Sequence, residues 1–324
     1  MTMSMENVLI IGNGFDLGLG LQTQYKHFVN SEYWPLKERP LERMLEDNLF
    51  NYIWKFTEDN RDNLGEVKWI DLEELFLNYA LKKSQEEVTP YFKEIANYDR
   101  EILYIIKEAF KSYILNVVTH QITKRCASPI NINSEIIESI IHNDTFTKVY
   151  SFNYTGTDSI IEFLYGGRHN VSHLHGVVYT MTDQIILGIN DDVKVPKEYW
   201  FLKKSHQDGF RSHDMNDDLF QANEIIFYGL SFGPADFVYF KRFLKETVKN
   251  HKSGMPKKRV NIFTLDESSR VSIMENIVEF GIPMSDIYSC INFVFYKTGE
   301  YGYTQQAMED IRNFILHMQR GTKA

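Results

Sequence analysis

Four short segments of this chain carry residues able to do chemistry, each directly after an apolar run. The first is Gly12-Asn13-Gly14, which follows Val8-Leu9-Ile10-Ile11. Two glycines let the backbone turn tightly and let a phosphate approach N–H groups that a Cβ would obstruct. A dinucleotide fingerprint places its third glycine at residue 17, but Leu17 stands there and Gly18 comes one later. The usual acidic residue on a second strand is also missing, so this is not the common dehydrogenase pattern. The competing reading is a plain pair of turn glycines.

The second segment is Ser151-Phe152-Asn153-Tyr154-Thr155. An asparagine at the carboxyl end of a strand donates and accepts without a charge, which suits a ribose hydroxyl or a positioned water. Its ordinary alternative is an Asx turn capping the next helix. The third is His173-Leu174-His175-Gly176, where alternation puts both histidines on one face if the strand continues that far. His175 then suits a general base at neutral pH, while His173 reads as a core histidine. A metal pair completed by His206, His213 or Asp191 has no specific ligand spacing, so no metal is expected.

Gly229-Leu230-Ser231-Phe232-Gly233 is the fourth, ahead of a helix opened by Pro234-Ala235-Asp236. It matches the G-x-S-x-G nucleophile elbow in a strand–turn–helix setting, and Asp266 and His317 complete the order of a serine hydrolase. The same residues also suit a second phosphate- or ribose-binding helix N-terminus. Ser231 is expected to bind ligand and not to act as a nucleophile, because His317 shares a helix face with Phe314, Ile315 and Met318. Trp69-Ile70-Asp71-Leu72-Glu73-Glu74 is acidic, and Asp71 with Glu74 reads as a capping-box variant.

Elements must hold these residues. Strands are expected at Val8–Ile11, Lys148–Phe152, Val171–Leu174, Gln184–Ile189, Glu224–Tyr228, Arg259–Leu265 and Ile291–Tyr296. Runs such as Ile225-Ile226-Phe227-Tyr228 are apolar on both alternating faces, as in a largely parallel α/β sheet covered by helices on both sides. Helices follow Pro234, run near Ser268–Phe280 up to Gly281, and close the chain around Thr304–Met318. Residues 31–143 show 3.6-residue periodicity and no convincing strand, which predicts a large helical insertion into an α/β domain of 1–30 and 144–324.

Composition narrows the function. The 324 residues carry 35 basic and 44 acidic side chains, a net charge of -9, which disfavours nucleic acid as a partner. The cluster Lys257-Lys258-Arg259 reads as a solvated turn. Two cysteines, Cys126 and Cys290, exclude a disulfide framework and a cysteine zinc module. The start lacks a basic n-region and no apolar run spans a membrane, so a cytoplasmic protein is expected.

Taken in order, the motifs resemble the sirtuin-type NAD-binding fold, with its glycine loop, T-x-N-x-D, His-Gly and Gly-T-S. They resemble still more the abortive-infection AbiH family of anti-phage proteins. Its I-G-N-G-F-D, G-L-P-T-x-Y, W-x-D-x-E, S-F-N-Y-T, H-x-H-G and G-x-S-x-G-x-x-D-x-x-Y-F patterns fall on Ile11–Asp16, Gly20–Tyr25, Trp69–Glu73, Ser151–Thr155, His173–Gly176 and Gly229–Phe240. Gln22 stands where proline is usual. The resemblance implies a sirtuin-like, Rossmann-like core that binds NAD and hydrolyses its nicotinamide–ribose bond as a suicide defence. Asn153 and His175 would be catalytic. Gly12, Asn13, Gly14, Phe15, Asp16, Thr23, Ser151, Gly229, Ser231 and Asp236 would bind the nucleotide. A serine hydrolase and a non-catalytic NAD or ADP-ribose sensor are the rival functions. The partners expected are a nucleotide, a phage trigger protein and further copies of the chain in a homo-oligomer, without membrane.

Overall fold

Val8 and Ile10 point to one side of their strand and Leu9 and Ile11 to the other, and all four are fully buried. A strand apolar on both faces needs cover on both faces, and this one lies mid-sheet. In the computed structural model the sheet has six strands, all parallel: β1 (Asn7–Ile11), β2 (Phe146–Ser151), β3 (Val171–His173), β4 (Glu224–Tyr228), β5 (Lys258–Thr264) and β6 (Ile291–Lys297). Their order is β3-β2-β1-β4-β5-β6, the doubly wound Rossmann order, whose direction reverses between β1 and β4. Ile11 is level with Ser151 of β2 and with Tyr228 of β4, so the carboxyl ends of the three central strands finish together. The structure describes residues 7–37, 47–68, 70–86, 91–125, 132–141, 146–166, 170–210, 215–222, 224–233, 236–251 and 256–321. The readings that fell on residues 1–6 and on Trp69, Cys126, His213, Pro234 and Ala235 lie outside them.

Helices cover both sheet faces. On one, Val8, Ile10, Ile225, Phe227, Val260 and Ile262 pack with Phe240, Phe243 and Leu244 of the helix Phe237–His251 and Ile273 and Ile277 of Glu267–Val278. On the other, Phe263 stacks on Tyr296 at 4.7 Å and meets Phe314 of the helix Gln305–Gly321 edge-on. No helix among the described residues is long and apolar enough to cross a membrane.

The chain divides into two compact units. The first, Met1–Leu21, Ile122–Leu174 and Ser212–Ala324, holds the sheet; the second is Gln22–Gln121 with His175–Arg211. The second unit therefore takes in residues 175–211, read from the sequence as α/β domain, while 122–143, read there as insertion, fall with the sheet. Its helices include Leu49–Asp59, Leu72–Ser84 and Phe92–Tyr113, the last running into a π-helical turn at Ile114–Val118. Phe28, Trp34, Phe110 and Tyr113 form an aromatic core within it.

Two expectations are corrected here. Gln184–Ile189 is not a strand and makes only isolated bridges, Gly176 to Ile185 and Ile189 to Lys203. Side chains take part of its backbone hydrogen bonding: Gln207 takes the Leu187 N–H and donates to its carbonyl, and Glu73 Oε1 accepts from Gly188, while Ile186 N donates to the His175 carbonyl and Ile189 N to that of Leu202. β3 also stops at His173, so His173 and His175 do not share one strand face; His175 lies in the following turn, in the second unit.

Candidate functional site

Sequence puts Asp16 one residue after Phe15, inside the short helix Asn13–Gly18 that follows β1. Phe15 turns into the core, fully buried, with its ring edge-on to Tyr228, and so is not a ligand surface. Asp16 points to the segment after β2. Asn153 Nδ2 donates to Asp16 Oδ1 at 2.9 Å, and Thr155 Oγ1 donates to Oδ2 at 2.8 Å. Asp16 is 1% exposed, Asn153 4% and Thr155 2%. Burial pushes the Asp16 carboxyl up to about 7, against the opposing pull of the Thr155 and Asn153 hydrogen bonds.

Ser151 stands behind this group. Its Oγ lies 2.7 Å from Thr157 Oγ1 and accepts from the Asn153 N–H at 3.2 Å, fixing the turn that aims Asn153. Among the described residues, Asn153 Oδ1 is buried and has no hydrogen-bond partner. A buried acceptor without a donor costs about 1–3 kcal/mol, so such an atom calls for an explanation. Thr155 closes the S-F-N-Y-T segment, whereas no sequence motif singles out Thr157. Asp16 was read as a nucleotide contact, not as the partner of Asn153.

The two glycine motifs turn out to be one feature. Gly12 N donates to the Tyr228 carbonyl at 2.9 Å and Gly14 N to the Gly229 carbonyl at 2.8 Å. A Cβ on Gly14 would stand 2.5 Å from Gly229 Cα, and Gly229 has φ +66°. The N–H groups of Gly12 and Gly14 are therefore engaged by the end of β4 and the turn after it, and their missing side chains allow the β1 and β4 turns to touch. Asn13 is exposed beside them.

Ser231 is exposed, and its carbonyl accepts from Asn276 Nδ2 at 2.9 Å. The serine-hydrolase reading is overturned on three counts. Asp266 caps the helix Glu267–Val278, its Oδ1 accepting from the N–H and the hydroxyl of Ser269. His317 is half exposed and stands 3.9 Å from Glu224, where β4 begins, whereas Ser231 follows the end of β4. The strand alone sets those ends about 13 Å apart, at roughly 3.3 Å per residue. Finally, an elbow strains the nucleophile itself, but here Phe232 has the positive φ, 55°. Asp236 is half-buried, its N–H bonded to the Gly233 carbonyl at 2.9 Å.

Thr23 and His175 belong to the second unit. His175 is buried there, its Nε2 3.3 Å from Lys204 Nζ, and Lys204 in turn pairs with Glu73 at 3.1 Å. Burial, with the Lys204 charge added, pushes His175 well below its usual value, so the ring is neutral and Nε2 faces a cation. Asp71 caps its helix as expected, accepting from the Glu73 and Glu74 N–H groups. Neither the buried pairing of Glu73 nor Lys204 was visible in the sequence. His173, in the first unit, lies 3.4 Å from Asp158 and is lowered by burial. No cluster of three or more histidine, cysteine, aspartate or glutamate side chains suited to a metal occurs among the described residues.

The family model for bacteriophage abortive infection AbiH matches residues 8–254. The chain belongs to the AbiH family. That match takes in the β1 turn, the Asn153 segment, the His175 turn and the Ser231 loop, the same stretches that carried the resemblance. No curated protein matches the chain. Among solved structures, it is similar to a Sir2 homolog in complex with NAD, at 11% identity and TM-score 0.35, over 98% of this chain and 90% of that one. It is also similar to a mutant Sir2 homologue in complex with ADP-ribose, at 13% identity and TM-score 0.36, over 98% and 93%.

Proposed function

We propose that this AbiH protein is an anti-phage effector that binds NAD and hydrolyses its nicotinamide–ribose bond, depleting the cofactor in response to a phage trigger. One observation carries the reading: Asn153 holds a buried acceptor, Oδ1, with no partner among the described residues, at the carboxyl edge of a parallel sheet, after the strand β2 that neighbours β1. That edge is where doubly wound sheets take their ligands. A ribose hydroxyl or a water supplies the missing donor.

The reaction asks for little else. Nicotinamide leaves as a neutral molecule, so the charge that must be tolerated develops on the ribose, and the water that captures it needs orientation more than activation. Asn153 Oδ1 would orient that water or the ribose, and Asp16 would hold Asn153. Gly12, Gly14 and Gly229 would shape the turn beside it. Their N–H groups being engaged, a diphosphate would be met by Asn13 and by the Ser231 turn. His175, neutral and facing Lys204, is not required as the base. The homo-oligomer remains part of the proposal.

The test is incubation with NAD, reading free nicotinamide by chromatography for the unmodified chain and for Asn153→Ala. The expected result is release by the first and a loss of at least 10²-fold in the second, the lower range for removing a positioned catalytic group. ADP-ribose binding by the unmodified chain without any nicotinamide release would replace the hydrolase by the sensor.

A further inference from the structure

A carboxyl group deep in a core without a cation beside it is held at a cost. Asp16 is such a group: what acts on it is burial and two neutral donors, Asn153 and Thr155. The surrounding elements add no charge at its oxygens. The helix Asn13–Gly18 contains no second titratable residue, and neither the turn 152–156 nor the loop 229–233 contains a charged one. Behind the turn, on β3, stands His173 with Asp158 beside it, and burial keeps that ring neutral at pH 7.

What the carboxylate supplies is orientation. The two ends of an asparagine amide are alike in shape and opposite in hydrogen bonding, and an ionised carboxylate only accepts. Asp16 therefore requires Nδ2 of Asn153 to face inward, which leaves Oδ1 as the end without a partner. We propose that Asp16 is a positioning residue that fixes Asn153 as an obligate hydrogen-bond acceptor, so that the site takes a ligand through a group that donates to it, a ribose hydroxyl or a bound water. This inference rests on the reading of Asn153 as the ligand's partner. Once Asp16 takes up a proton it becomes a donor, the amide is free to turn, and Nδ2 replaces Oδ1 at the site. With Asp16 at about 7, the acceptor form prevails above neutrality and is lost below it.

Nuclear magnetic resonance of the full chain, with the aspartate carboxyl carbons and the asparagine side-chain nitrogens labelled, follows both residues from pH 5.5 to 8.5 without ligand. The Asp16 carbon and the Asn153 amide are expected to move with one shared midpoint near neutrality, and Asp16→Asn is expected to abolish the Asn153 transition. Thr155→Val, which removes one donor to the carboxylate and keeps the side-chain volume, should move both midpoints upward together. An Asp16 carbon that does not titrate in this range, or an Asn153 amide that stays still while Asp16 titrates, overturns the proposal. In parallel, ADP-ribose affinity should fall about tenfold from pH 8 to pH 6, as the competent fraction falls, and stay level in Asp16→Asn. Coupled titration with pH-independent ADP-ribose affinity overturns the ligand half of the proposal. Coupled titration with no ADP-ribose binding at any pH is the failure of the nucleotide reading and supports the positioning role.

Discussion

His175 illustrates how much of a residue's behaviour is set by partners far away in sequence. Read in the H-x-H-G segment, it has the type and place of a general base. In the fold its Nε2 faces the Lys204 ammonium, and Lys204 is tied to Glu73, so a histidine, a lysine and a glutamate form one buried chain. Lys204 lies 29 residues from His175 and 131 from Glu73, beyond the reach of any local pattern. Replacing His175 by Ala leaves the buried ammonium short of an acceptor, which should cost roughly 1–3 kcal/mol in denaturant unfolding. His175→Gln keeps an acceptor and should stay within about 1 kcal/mol of the unmodified chain. If NAD hydrolysis proceeds as proposed, the Gln variant should retain at least a tenth of it. A folded Gln variant that loses the 10²–10⁴-fold typical of a general base would return His175 to the reaction.

At the scale of elements, the strands were the easiest part to read. Residues such as Val8–Ile11 and Ile225–Tyr228 are apolar on both faces, as a covered central strand requires, and six of the seven expected strands are present. Gln184–Ile189 is equally apolar but lies in the second unit, where Gln207 and Glu73 take up backbone groups that a ladder would have used. The turns were half legible: each glycine motif was recognised after its strand, but not that Gly14 and Gly229 pack backbone against backbone. This contact makes a prediction. Gly14→Ala forces a Cβ to within 2.5 Å of Gly229 Cα and should destabilise by about 1–3 kcal/mol or more. Gly233→Ala meets nothing nearer than Ser231 Oγ at 3.6 Å and should stay within about 0.5 kcal/mol. Equal unfolding midpoints for the two variants would show that the turns do not need this close approach.

Over the whole molecule, the periodicity of residues 31–143 points to one continuous insertion, whereas the second unit is assembled from 22–121 and 175–211. Buried, long-range contacts join those two segments, aromatic pairs such as Tyr79 with Tyr199 and Phe92 with Tyr199 as well as polar ones, so no periodicity announces them. One polar cluster is centred on Asp99, which is fully buried and accepts from Leu49 N at 2.7 Å, Tyr79 Oη at 2.6 Å and, from the other segment, Tyr199 Oη at 2.9 Å. Lys111 adds another, donating to the carbonyls of Met181 and Asp183. Asp99→Leu would remove the acceptor of three buried donors, stranding the Leu49 N–H and at least one of the two tyrosine hydroxyls, each at a cost of about 1–3 kcal/mol and all in the second unit. If the unit is a separate cooperative body, the loss should appear there alone. Hydrogen exchange read by mass spectrometry should then show faster exchange at Leu49–Asp59, Leu72–Ser84 and residues 197–206, while β1, β4 and β5 keep the protection of the unmodified chain. Exchange that accelerates equally in the sheet strands would mean that the chain unfolds as one body, and the division into two units would have no energetic meaning.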